Sequence, residues 1–435
     1  MAFIRTIGRW AMTGLVINGV IGSGIFGVPG ELTRTLGRAS PFAMLLAAVV
    51  MGIIAAAMTE VASQFSEPGG PYLYVRAAFG PFLGIQVGWF WLLSLISGAA
   101  AGTNLFVGYL ASFLPSAAHG WARAAAITVL IAIPATANYF GVRSGANFTN
   151  LFTVAKILPL AFLIIIGLFR FGHQIQIVHL SEIVSPGWSP WLSALLLLLF
   201  VYGGYEDSLA PLGEVENPRR TVPFALATGL LVCTAVFTLV QFVTVAAIGT
   251  FATDRPLVEV AIKLIGHSGS FFVAAAVMIS SYGYIVGTIL SAPRVVYALS
   301  SHGDFPYFLS RLNPRYHTPA IASCIYALLV WLLALTGTFL WVAAVSAGSM
   351  AIYYGAICAA LIQLRKTHPD APALRLPFGR AIALAGIAIC IALLSRLSLR
   401  DALLMCITAV VAAGNWWWAR HRAMGRPTKP IEVSA

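Results

Sequence analysis

Apolar residues gather along this chain into long runs separated by short polar segments. At roughly 20 apolar residues per crossing, the runs predict about twelve membrane helices, beginning near residues 11, 41, 82, 122, 151, 191, 222, 270, 320, 339, 376 and 400. The longest connections are expected at roughly 170–190, 250–269 and 301–319, which leaves no soluble domain for separate chemistry. Function is therefore expected among the helices.

Two runs are interrupted. GVIGSGIFGVPG, residues 19 to 30, breaks the first with Gly19, Gly22, Gly24, Gly27, Gly30 and Pro29. Each glycine costs roughly 1 kcal/mol against alanine in a helix interior, so an unbroken rod is disfavoured. Small residues also let membrane helices pack closely. Yet Gly22, Ser23 and Gly24 are consecutive and mid-span, where irregular backbone is tolerated only if buried in protein or lining a cavity. The sixth run closes on FVYGGYEDSLAPLGEVENPRR, with Gly203 and Gly204 followed by Glu206 and Asp207. Breaks in the first and sixth helices fit an inverted-repeat secondary transporter with substrate at the repeat interface. A break frees amides on one side and carbonyls on the other. Amides near Ser23 to Ile25 suit a carboxylate; carbonyls near Ile21, Phe200 and Gly203 suit an ammonium. A zwitterionic amino-acid headgroup matches both ends.

Composition agrees with the membrane reading. Of 435 residues, 59% are hydrophobic and 9% charged, and mean hydropathy is +0.88, beyond what a water-soluble domain covers with polar surface. The net charge of +12 is not concentrated into a basic stretch interleaved with aromatics, so no nucleic acid is expected. With the N-terminus inside, predicted cytoplasmic segments carry more Arg and Lys than outer ones, and both termini are expected in the cytoplasm. Cys233, Cys324, Cys358, Cys390 and Cys406 lie in apolar runs without metal-ligand spacing and read as reduced packing residues. The histidines lack H-x-x-x-H spacing, and there is no nucleophile elbow or phosphate-cradling loop, so neither an enzyme nor a metal or cofactor site is expected. A channel and a transporter-like sensor or partner-dependent subunit are the other classes the sequence admits.

Four ordered stretches, GSGIF (22–26), EPGGPYLYVRAAFGPFLGIQVGW (67–89), EVENPRRTVP (214–223) and ISSYGYIVGTILSAPRVVYALSSHGDFP (279–306), followed by NPRYHTP, resemble the amino acid, polyamine and organocation superfamily of permeases. The resemblance implies an all-α membrane protein of 12 transmembrane helices with a LeuT-like 5+5 inverted repeat and discontinuous helices 1 and 6. Residues 1–170 would form the first repeat, 190–365 the second, 376–419 two peripheral helices and 420–435 a cytoplasmic tail. It implies a secondary active transporter of amino acids in the cell membrane, with a polyamine or cationic amino acid antiporter as the alternative. Substrate would be an amino acid or related amine; protons are candidate coupling ions, and oligomeric state is open. Carried over by position, Ser23 and Gly24 would bind the substrate carboxylate, while Ile21, Phe200 and Gly203 would bind the amino group. Thr288 would face the substrate, and Ala99 stands where an arginine-exporting branch has asparagine.

Lys156 sits inside an apolar run, where an ionisable group is a functional candidate, although snorkelling to a boundary is a competing explanation. It resembles the lysine that replaces sodium in sodium-independent members, and is expected to bridge helices one, five and eight near Ser280 and Ser281. Glu206 is expected either to contact substrate or to bond the broken backbone. With Asp207, which has no usual family counterpart, it could attract a cationic side chain or titrate as a coupled pair. Glu60 and Gln241 are expected to be hydrogen-bonders between helices.

Overall fold

The computed structural model describes residues 7–65, 70–140, 146–172, 187–209, 215–249, 253, 255–316, 318–369 and 374–423. Among the described residues sixteen α-helices follow one another: α1 Arg9–Val20, α2 Gly24–Gly27, α3 Pro29–Leu36, α4 Ser40–Ala62, α5 Gly70–Phe79, α6 Pro81–Leu110, α7 Gly120–Tyr139, α8 Ala146–Phe171, α9 Trp188–Tyr202, α10 Pro218–Ile248, α11 Pro256–Ile265, α12 His267–Ser301, α13 Ala320–Thr336, α14 Phe339–Thr367, α15 Gly379–Leu394 and α16 Leu399–Ala423. A proline occupies the first turn of α3, α4, α6, α10 and α11, where its missing N–H has no helical partner to lose. Among the described residues the only β pairing is an isolated bridge between Ile7 and Val215.

Every predicted apolar run begins within a few residues of a helix. Eight segments among the described residues are long and apolar enough to cross a membrane, while α13 and α15 are apolar but shorter. The expected loop at 250–269 is corrected: it contains α11, whose sequence PLVEVAIKLI buries Leu257, Val258, Val260, Ala261 and Leu264 on one face. Residues 173–186 and the tail beyond 423 lie outside the described residues, as do Pro211 and Glu214.

Burial separates inner from outer helices. In the most apolar windows of α6 and α14, 72% of residues are buried, against 22% in α7 and α16. α6 and α14 pack on each other; α12 packs on α6, α10 on α1 and α4, and α15 on α14. Outer helices leave Phe169, Trp121, Leu231 and Val410 exposed, an apolar surface suited to lipid. Polar side chains tie the inner helices together. The Arg365 guanidinium donates to both Glu60 oxygens at 2.6 and 2.7 Å. Gln241 Nε2 reaches the Pro29 carbonyl, Thr33 and Ser40. Both residues behave as interhelical hydrogen-bonders, as their sequence context suggested.

Candidate functional site

At the first break, α1 stops at Val20 and α2 starts at Gly24. An unbroken helix would direct the Gly22 amide to the Asn18 carbonyl. Instead Gly22 N–H turns to the Val20 carbonyl at 2.8 Å, and the Asn18 carbonyl loses its helical donor. Lys156 of α8 fills that place: Nζ donates to the Asn18 carbonyl and to its side-chain oxygen, both at 3.2 Å. Lys156 is buried, and among the described residues no carboxylate pairs with it. The Gly19 and Ile21 carbonyls likewise accept no backbone hydrogen bond among the described residues. Ser23, Gly24 and Ile25 present their amides at the start of α2, where no preceding turn supplies acceptors.

The second break mirrors this with opposite charge. α9 ends at Tyr202 and the chain re-forms as a 3₁₀ turn over Tyr205–Leu209. The Gly204 amide, freed from the Phe200 carbonyl, donates to Glu206 Oε2 at 3.0 Å. Two tyrosines of α14 complete the carboxylate's shell: Tyr353 OH donates to Oε1 at 2.6 Å and Tyr354 OH to Oε2 at 3.0 Å. Glu206 is thus the acceptor of three donors and is buried.

The two breaks touch each other. A Cβ on Gly19 would lie 2.5 Å from the Gly204 carbonyl oxygen, and one on Gly204 would lie 2.5 Å from that of Gly19. Gly204 also has φ +96°, a conformation that only glycine adopts cheaply. Gly24 sits against Val201, with 2.9 Å from its would-be Cβ to the Val201 Cα. Bare backbone therefore meets bare backbone where both helices are interrupted.

A narrow cavity opens at this junction, about 420 Å³ with its mouth included, lined on the first-helix side by Gly19, Gly22, Ser23 and Gly24. Phe200, Gly203, Gly204, Glu206 and Asp207 face it from the sixth-run side, and Ser94, Tyr284 and Met350 from α6, α12 and α14. Ser23 is 2% exposed, and its hydroxyl has no hydrogen-bond partner among the described residues. The Phe200 ring meets Phe339 edge-on at 6.3 Å between centroids.

Ser23, Gly24, Phe200, Gly203 and Glu206 thus share one cavity, with Ile21 buried directly beside it. Thr288 stands apart. Its hydroxyl donates to the Tyr284 and Ile285 carbonyls of its own helix, and Tyr284, one turn away, lines the cavity instead. Ser280 and Ser281 are fully buried with unpartnered hydroxyls, but the hydrogen bonds of Lys156 run to Asn18 rather than to them. Sequence reasoning missed Asn18, Tyr353 and Tyr354. An asparagine four residues before Gly22 in an apolar run, and a tandem tyrosine pair in α14, were the available signals. Among the described residues no cluster of His, Cys, Asp and Glu is arranged to hold a metal ion.

The family profile described as amino acid permease matches residues 7–419. The serine/threonine exchanger SteT of Bacillus subtilis (strain 168) is 28% identical over 330 residues, 73% of this chain and 74% of the relative. A putative arginine/ornithine antiporter of the same organism is 28% identical over 350 residues, 72% of this chain and 73% of the relative. A probable polyamine transporter of Arabidopsis thaliana is 30% identical over 326 residues, 71% of this chain and 63% of the relative. These relatives are transporters and not enzymes. With the profile spanning almost the whole sequence and helices of membrane-crossing length beneath it, this multi-pass membrane protein belongs to the amino acid permease family of the amino acid, polyamine and organocation superfamily.

Proposed function

We propose that the chain is a secondary active transporter that moves amino acids across the cytoplasmic membrane by alternating access, independently of sodium. The observation that carries this reading is the junction of the two breaks. Free amides and the unpartnered Ser23 hydroxyl lie on one side of a single cavity, and freed carbonyls at Gly19, Ile21 and Phe200 lie about it. A carboxylate docks on Ser23 and Gly24, and the α-ammonium on the carbonyls of Ile21, Phe200 and Gly203. The relatives' names support this class of cargo, since they include a serine/threonine exchanger and an arginine/ornithine antiporter.

In this reading twelve helices form two inverted repeats, 1–170 and 190–365, with 376–419 peripheral and both termini cytoplasmic. Lys156 supplies a fixed cation at the first break, where a sodium ion would otherwise satisfy carbonyls. Protons or a counter-substrate then provide the coupling. In this reading the site opens by movement of the broken helices against the inner pair α6 and α14.

The test is uptake into proteoliposomes of neutral, cationic and anionic amino acids and polyamines, with and without sodium, a proton gradient and internal counter-substrate. Saturable, sodium-independent uptake with counterflow is expected. Flux that never saturates would assign a channel, and binding without translocation would assign a sensor or partner-dependent subunit.

A further inference from the structure

The cavity contains two carboxylates and no basic side chain, and the two are unlike. Glu206 already accepts from Gly204 N–H, Tyr353 OH and Tyr354 OH, so its oxygens are committed to the protein. Asp207 is exposed and lines the cavity. No donor or cation among the described residues pairs with its carboxylate. The buried Lys156 is turned toward Asn18 and does not line the cavity.

We propose that Asp207 is a specificity-determining residue that binds a second positive charge on the substrate, the side-chain ammonium or guanidinium of a basic amino acid or the distal amine of a diamine. This rests on the transporter reading above and adds the substrate class. A zwitterionic headgroup is neutral overall, and the freed amides, the Ser23 hydroxyl and the freed carbonyls answer both of its charges. The buried, unpartnered Ser23 hydroxyl independently marks the cavity as a ligand site. Asp207 then remains as a carboxylate that faces the cavity with no cation beside it among the described residues. A neutral side chain gives that carboxylate no partner; a cationic one pairs with it through a charge-assisted hydrogen bond.

The experiment compares wild type, Asp207→Asn and Asp207→Glu of the full chain in proteoliposomes, reading uptake of lysine, arginine, ornithine and putrescine beside serine and leucine. Wild type is expected to take up at least one cationic substrate. In Asp207→Asn its uptake relative to the neutral substrates is expected to fall at least about tenfold, the effect of losing one hydrogen bond to a charged group. Asp207→Glu is expected to restore part of the preference. Equal losses for cationic and neutral substrates in Asp207→Asn would overturn the assignment, placing Asp207 at the α-ammonium or in the fold. Wild-type uptake confined to neutral amino acids would overturn it too while leaving the transporter reading intact. Absence of any uptake would overturn both.

Discussion

Each broken helix leaves backbone groups without partners inside an apolar bundle, and each is met by one charged side chain, but the two repairs differ in kind. At the sixth-run break the repair is local and complete. Glu206 lies two residues from the amide it caps, and α14 adds two hydroxyl donors. At the first break the repair is remote and partial. Lys156 comes from α8, 138 residues away in sequence, and two of its three N–H donors go to one residue, Asn18. The Ser23 hydroxyl beside it has no partner among the described residues. The contrast lies in what each repair leaves over: at the sixth-run break Glu206 is committed to the protein, whereas at the first break the Ser23 hydroxyl keeps its hydrogen-bonding capacity.

The strongest challenge to this pairing is to separate the breaks. Gly204→Ala places a Cβ 2.5 Å from the Gly19 carbonyl oxygen at φ +96°, and neither backbone can yield without moving its helix. A loss of about 3 kcal/mol or more is expected from strain and overpacking together, read as a lower unfolding temperature in detergent with uptake abolished. Gly19→Ala is expected to behave alike. A tolerated Gly204→Ala would show that the breaks need not touch.

Next in size is Glu206→Gln. The amide offers one acceptor oxygen where the carboxylate served three donors, so at least one of Gly204 N–H, Tyr353 OH and Tyr354 OH is left unsatisfied. A cost of about 2 kcal/mol is expected, and Tyr353→Phe in the same background is expected to recover part of it. Full additivity of the two substitutions would contradict a shared network.

Lys156→Met is expected to change stability by no more than about 1 kcal/mol, because the lost bonds to Asn18 are offset by removing the desolvation cost of a buried ammonium. Uptake is nevertheless expected to fall, since the Asn18 carbonyl at the break is left without its cation. Unaltered uptake and pH dependence in Lys156→Met would reduce the lysine to a packing residue.

The sequence discloses these sites unevenly, for physical reasons. Glycine density marks both interruptions, since backbone conformation is encoded locally, and long apolar runs mark the helices. The loop predicted at 250–269 hid α11 because ten residues are too few for a crossing, although Pro256 in its first turn and Gly266 at its end were helix signals. Partners are another matter. Tyr353 and Tyr354 lie 147 and 148 residues from Glu206, and nothing in one sequence encodes which polar groups of two apolar runs will meet. The same limit explains Thr288: its position on α12 was readable by resemblance, but that its hydroxyl folds back on its own helix was not.

Ser23→Ala has the smallest expected effect on the fold and so isolates ligand binding most cleanly. The Ser23 hydroxyl is buried without a partner, so deleting it removes an unpaid desolvation cost and breaks no hydrogen bond. Stability in the absence of substrate is expected to stay level or rise by up to about 1 kcal/mol. Substrate affinity is expected to fall about tenfold, because one hydrogen bond to the carboxylate disappears. Thermal unfolding with and without the transported amino acid measures both quantities on one sample, since a ligand that binds only the folded state raises the unfolding temperature in proportion to its occupancy. A protein equally stable without ligand and less stabilised by it separates a binding hydroxyl from a packing one. If the substrate-induced shift is the same in wild type and Ser23→Ala, the carboxylate is held elsewhere and the Ser23 hydroxyl loses its claim to be a ligand group.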